Sequence, residues 1–196
     1  MMSFDNSFTA VTGQTYTASQ YNTHVRDNLT AIWVGTTAGD TDYYTSATSK
    51  ARVAIGANGT YYESNGSVPG WSKFYRSTCI LLNTDIALAA GDDQYRFRIP
   101  AVLNGWDLYS VAAARKGGSS GAALSIQIRN VSSANDMLST ALTIDSGETD
   151  SSTAATPAVI NTAQDGVLTT HQIAIDVDVP GTNSLLVQVE LVFAKP

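Results

Sequence analysis

Gly117-Gly-Ser-Ser-Gly121 has the G-x-S-x-G spacing that sets a nucleophilic serine on a sharp turn, and Asp145 or Asp165 and then His171 follow in the chain order of the α/β-hydrolases. That chemistry needs a strand-to-helix turn in a parallel sheet. Here the stretch joins two alternating strand patterns and reads as a flexible hairpin loop, so Ser119 is assigned to a loop and no catalytic residue is expected. With two histidines, His24 and His171, and the single Cys79, the chain cannot supply a tetrahedral N/S zinc set, and neither metal nor cofactor is expected. Asp176 and Asp178 project from one face of a strand, close enough to share a hard cation or to act as a glycosidase pair. Alternation alone also places acids on a solvated outer face, which is the simpler reading. Asp145, Glu148 and Asp150 in "TIDSGETD" form a second acidic loop of the same kind. Tyr43, Tyr44, Tyr61 and Tyr62 are suited to stacking on sugars or to packing between subunits.

These residues must be held by a mainly β chain. Of 196 residues, 43 are Ser or Thr and only 14% are charged, a balance that favours extended structure. From residue 75 onward period-2 alternation recurs: Tyr95, Phe97 and Ile99; Leu124, Ile126 and Ile128; Ile173, Ile175, Val177 and Val179; Leu185 to Phe193. With Gly, Asn, Asp and Ser turns between them, these segments predict an antiparallel β-sandwich of the jelly-roll kind with roughly eight strands over 75–196. Thr78 to Leu82 reads as a buried run, with Cys79 an inert thiol inside it.

The front of the chain is different. In "YTASQYNTHVRDNLTAIW", Thr17 and Gln20 form a capping box that starts a helix at Ala18, and Tyr21, Val25, Leu29 and Ile32/Trp33 make one narrow apolar seam. Such a seam suits a partner helix, although a helix packed on its own domain would share it. Residues 36–74 carry very short apolar pieces between Gly-rich turns, too short to bury a core within one chain. Three segments follow: an attachment segment and assembly helix over 1–35, a short-stranded shaft over 36–74, and the sandwich over 75–196.

The net charge of -6, without a Lys/Arg cluster, argues against nucleic acid or an anionic membrane as partner. One cysteine excludes an intrachain disulfide, and no secretory leader or membrane-spanning run is evident.

Asn22 to Leu29, Gly39-Asp40, Arg52 to Gly59 and Gly66 to Trp71 together resemble the N-terminal and shaft segments of tailed-bacteriophage fibre and minor virion structural proteins. In that family an N-T-H-V-R-D-N-L helix precedes a Gly-Asp turn and an R-x-x-I-G-x-x-G segment ending in G-x-P-x-W. Tyr61-Tyr62-Glu63 departs from the family's more usual aliphatic pair before the turn, which bears on the shaft packing. The resemblance covers residues 16–74, and the last domain is similar to distal β-sandwich domains of such proteins. It implies a virion structural protein without enzymatic activity, assembled in the bacterial cytoplasm as a homotrimeric tail or baseplate fibre. Such a protein docks to other virion proteins, with contact to a bacterial surface glycan or protein as an additional role. A capsid decoration protein or head fibre is the alternative, and a glycan depolymerase a third. On this reading Tyr21, Val25, Leu29, Ile32 and Trp33 line the trimer interface, Ile55, Tyr61 and Trp71 pack the shaft, and Gly117, Ser119, Glu148 and Asp150 belong to distal loops.

Overall fold

The computed structural model describes residues 12–27, 29, 35–46, 49–64, 66–84, 86–117 and 121–196. Ile32, Trp33 and Ser119 lie outside them. The chain divides into two compact units, Met1–Ser72 and Lys73–Pro196.

In the first unit, Thr17 caps the helix as its capping box predicts: its hydroxyl accepts the Gln20 N–H and the Gln20 side chain accepts the Thr17 N–H. α1 (Ala18–Tyr21) then passes into a π-helical segment, Asn22–Arg26, rather than continuing as the uniform α-helix that the four-residue spacing implies. Asn22, Thr23, His24 and Val25 are weak α-formers, which permits the wider turn. β1 (Thr41–Ser46) pairs with β2 (Ser49–Val53), and β3 (Thr60–Ser64) with β4 (Pro69–Lys73), each as a separate two-stranded ribbon. Asp40 organises the approach to the first ribbon. Its carboxylate accepts the N–H groups of Thr36, Thr37 and Ile55 and pairs with Arg52. The Thr36 N–H above all, then those of Ile55 and Thr37 and the Arg52 charge, hold this carboxyl below the usual carboxylate range against the opposing effect of burial. Trp71 lies against Gly56 and edge-on to Tyr62, and its Nε1–H donates to the Ala54 carbonyl. Yet no described residue of 12–72 is buried.

The second unit is built on the alternation seen in the sequence. β5 (Tyr75–Leu81), β6 (Gly91–Arg98), β7 (Trp106–Lys116), β8 (Leu124–Asn130), β9 (Asn135–Asp136), β10 (Leu138–Thr140), β11 (Leu142–Ile144), β12 (Val159–Ile160), β13 (Gly166–Val167), β14 (Gln172–Pro180) and β15 (Leu185–Ala194) follow in order. One sheet runs β13-β7-β15-β5 and the other β11-β8-β14-β6, with β9 attached to β8, while β10 and β12 pair apart from both. The first strand therefore pairs with the last, β6 with β14, β7 with β13 and β8 with β11, all antiparallel. Folding one long antiparallel ribbon over on itself produces this nesting, and it defines a jelly roll. Leu124, Ile126, Ile128, Ile173, Ile175, Val187, Val189, Leu191 and Phe193 face inward and are almost wholly buried, each contributing about 1.5–3 kcal/mol.

Two expectations need correction here. Thr78 to Leu82 is not a continuous buried run, because β5 is an edge strand in which only Ile80 reaches the core. The register that places Ile80 opposite Val189 turns Cys79 outward opposite Glu190, and the thiol is exposed rather than buried.

Candidate functional site

A jelly roll puts alternate connections at each end, and the hydrogen bonds show which loops share an end. Leu88 N–H donates to Ser184 O, Leu186 N–H to Thr84 O, Thr182 N–H to Ala122 O and Gly121 N–H to Ser146 Oγ. Residues 82–84, 86–90, 117, 121–123, 145–158 and 181–184 thus cluster together. The chain enters the sandwich at Tyr75, at the opposite end of β5. That opposite end holds the 99–105, 131–134 and 168–171 turns, joined by Ile99 N–H to His171 O and Val131 N–H to Gln172 O.

Arg115 fastens the clustered loops. It is 4% exposed at the end of β7, donating to Glu148 O through Nε at 3.0 Å, Ser184 Oγ through Nη1 at 2.9 Å and Asp145 O through Nη2 at 3.0 Å. Among the described residues no carboxylate pairs with it, and burial pushes its guanidinium pKa down from the ordinary value. Gly181, at φ 68°, is required beside it, since a Cβ there would stand 2.5 Å from Arg115 Nη1. Asp145 accepts the Ala155 N–H, Glu148 accepts the Thr153 hydroxyl, and Asp150 caps the short 3₁₀ turn Ser151–Thr153 through the Ser152 N–H. The bonds from Ser152 hold the Asp150 carboxyl below its usual range. The sequence singled out Gly117, Glu148 and Asp150 as loop residues but missed Arg115, whose single charge at the end of an Ala-rich strand was the available signal.

The hydrolase arrangement does not assemble. The segment after Gly117 joins β7 of one sheet to β8 of the other, which corrects the expectation of a hairpin. Gly117 and Gly121 lie with the clustered loops, whereas His171 precedes β14 at the other end, roughly 30 Å away along that strand's nine residues. His171 Nδ1 accepts the Leu168 N–H at 3.2 Å and contacts Asn130 Nδ2 at 2.9 Å.

Asp176 and Asp178 also depart from expectation. Asp176 is buried at 4% exposure on the outer side of β14, with Arg129 Nε at 2.6 Å and Nη2 at 3.0 Å. Its Oδ1 also accepts the Asp93 N–H at 2.6 Å. Asp93 sits in an irregular stretch of β6 at φ 60°, where the register with β14 breaks between Ile175 and Val177, so Asp176 supplies an acceptor there. Asp93 in turn pairs with Arg96, whose Nη1 reaches Gln172 at 3.1 Å. The pattern of alternating acids was read as a solvated face, but Asp176 belongs to an ion-paired layer on β14. Asp178 remains exposed, with its pKa raised by burial of its carboxyl and then by the Asp176 charge. Among the described residues no three His, Cys, Asp or Glu side chains come together to hold a metal.

Of the seam residues, Tyr21 and Leu29 are more than half exposed and Val25 is half-buried. Ile55 is 55% exposed against Gly39, and Tyr61 and Trp71 are exposed at 39% and 36%. Among the described residues no helix is long and apolar enough to cross a membrane. Comparison with family models, curated proteins and solved structures returns no match.

Proposed function

We propose that the protein is a structural component of a tailed-phage virion, a homotrimeric fibre-type appendage whose front unit assembles and whose jelly roll forms the head. The observation that carries this reading is that no described residue of the front unit is buried. Residues 12–72 form regular ribbons, an Asp40-centred hydrogen-bond network and a capped helix, yet none of the described residues is buried. A lone two-stranded ribbon is marginal in water, so such a segment gains most of its stability from burial against other chains. The resemblance of residues 16–74 to phage fibre segments supports copies of the same protein as those chains.

The head supports the same reading through its polarity. Its clustered Gly-, Ser- and Thr-rich loops lie at the end remote from where the chain enters, the end that an N-terminally anchored appendage presents outward. Weak hydroxyl-mediated contacts there become useful when three act together. Negative-stain electron microscopy of the full-length protein tests the reading: particles with one narrow stalk and three-fold heads are expected, and isolated single heads at micromolar concentration would refute it.

A further inference from the structure

Three arginines stand on β6 and β8, and one of them has no counter-charge. Arg96 pairs with Asp93 and Arg129 with Asp176, whereas among the described residues no carboxylate pairs with Arg98. Arg98, the last residue of β6, lines a recess of about 320 Å³ together with Ile99, Pro100, Ala101 and Thr169. Its Nε–H donates to Thr169 O at 3.2 Å, which holds the guanidinium by one edge and leaves its two Nη groups for a ligand. The walls are set before any ligand arrives. Ile99 N–H donates to His171 O and Leu103 N–H to Pro100 O, while Asn104 Oδ1 accepts both the N–H and the hydroxyl of Thr169, at 3.1 and 3.4 Å. The Thr169 hydroxyl has thus directed its proton to Asn104 and keeps its lone pairs for an incoming hydroxyl.

We propose that this recess binds an acidic sugar, a uronate, with its carboxylate on Arg98. Charge selects the acid. One guanidinium matches one carboxylate and takes its two oxygens in parallel bonds, whereas a phosphate dianion would keep a charge unmatched, since no second cation lines the recess. Size and lining select the sugar. Small-molecule pockets begin at about 300 Å³ and are mostly apolar with a few polar groups that fix orientation. Ile99, Pro100 and Ala101 offer an apolar surface to the carbon–hydrogen face of the ring, and Thr169 offers an acceptor to a ring hydroxyl. All five lining residues belong to the jelly roll, so binding requires no second chain.

Calorimetric titration of the full-length protein with sodium glucuronate tests the assignment, with a dissociation constant expected in the millimolar range. Acetate has the carboxylate without the ring and glucose the ring without the carboxylate, and each should bind about tenfold or more weakly, as should inorganic phosphate. Arg98→Gln should weaken glucuronate binding by about tenfold or more, and so should Ala101→Phe, which fills the recess and leaves the guanidinium in place. Circular dichroism melts matching wild type exclude a fold defect in either variant. The methyl glycoside of glucuronate separates two sources of the same chemistry: binding equal to that of the free sugar marks a residue within a glycan chain, and loss of binding marks the free acid. No glucuronate binding at tens of millimolar, or equal binding by wild type and Arg98→Gln, would overturn the proposal. Phosphate bound as tightly as glucuronate would show an unselective anion contact and overturn it as well.

Discussion

Replacing Asp176 by Ala should destabilise the jelly roll by about 3 kcal/mol. The carboxylate is 4% exposed and accepts three bonds, from Arg129 Nε, Arg129 Nη2 and the Asp93 N–H. Removing one partner of a buried pair costs about 3–5 kcal/mol, because the other charge is left without compensation. The Arg129 side chain keeps 26% of its exposure and recovers part of its hydration, which lowers the figure, while the orphaned Asp93 N–H adds about 1 kcal/mol. For a domain of this size the sum corresponds to a fall in Tm of roughly 10 °C. Circular dichroism melts of the full-length protein measure it. Arg129→Met alone should be similarly damaging, and Asp176→Leu with Arg129→Met should recover most of the loss, since two apolar groups leave no buried charge. Raising the salt to 0.5 M should leave the single-variant cost nearly unchanged, because a buried pair is little screened. A cost under about 1 kcal/mol that disappears in salt would show a solvated surface pair and refute the argument.

Arg115→Met should cost about 2 kcal/mol and open the 145–157 segment to limited proteolysis, since two backbone carbonyls and a hydroxyl lose their donor. Gly181→Ala should act on the same cluster, through the left-handed backbone and the 2.5 Å approach to Arg115, and be at least as damaging in a urea melt. Burial first, and then the neighbouring Asp107 charge, raise the Asp165 pKa. The folded state therefore holds this proton more tightly than the unfolded one, and stability falls as pH rises through the folded pKa. Asp165→Asn should accordingly raise Tm at pH 7, and the gap to wild type should close toward pH 4, as melts across that range would show.

The jelly roll was legible because its central strands follow one physical rule. Inward residues such as Ile126, Ile175 and Val189 must be apolar, and the period-2 pattern exposes them. The nesting of β5 with β15 and β8 with β11 was not legible in the same way, since a strand's pattern names its buried face and not its neighbour. Cys79 and Asp176 were misjudged for related reasons. Cys79 sits in an apolar run whose edge register turns it outward, and Asp176 sits on an outer face that Arg129 and the irregular β6 backbone cover. Burial of this kind comes from long-range partners. The π-helical turn after Tyr21 was equally hidden, because the spacing of Tyr21, Val25 and Leu29 fits an α-helix and the weak propensities of Asn22 to Val25 decide otherwise. The clustering of residues 121–123 with the 145–158 loop followed only once the strand order was known.

Light scattering of the intact protein at micromolar concentration tests the central claim most directly. Tyr21 and Leu29 of the seam are exposed and no described residue of 12–72 is buried, and the proposed trimer would cover them, so the account predicts a mass three times the 20.7 kDa of one chain. Leu29→Asp, a charge placed on the seam, should shift that mass toward a single chain. A wild-type protein that stays at the mass of one chain while its front unit remains folded would contradict the account.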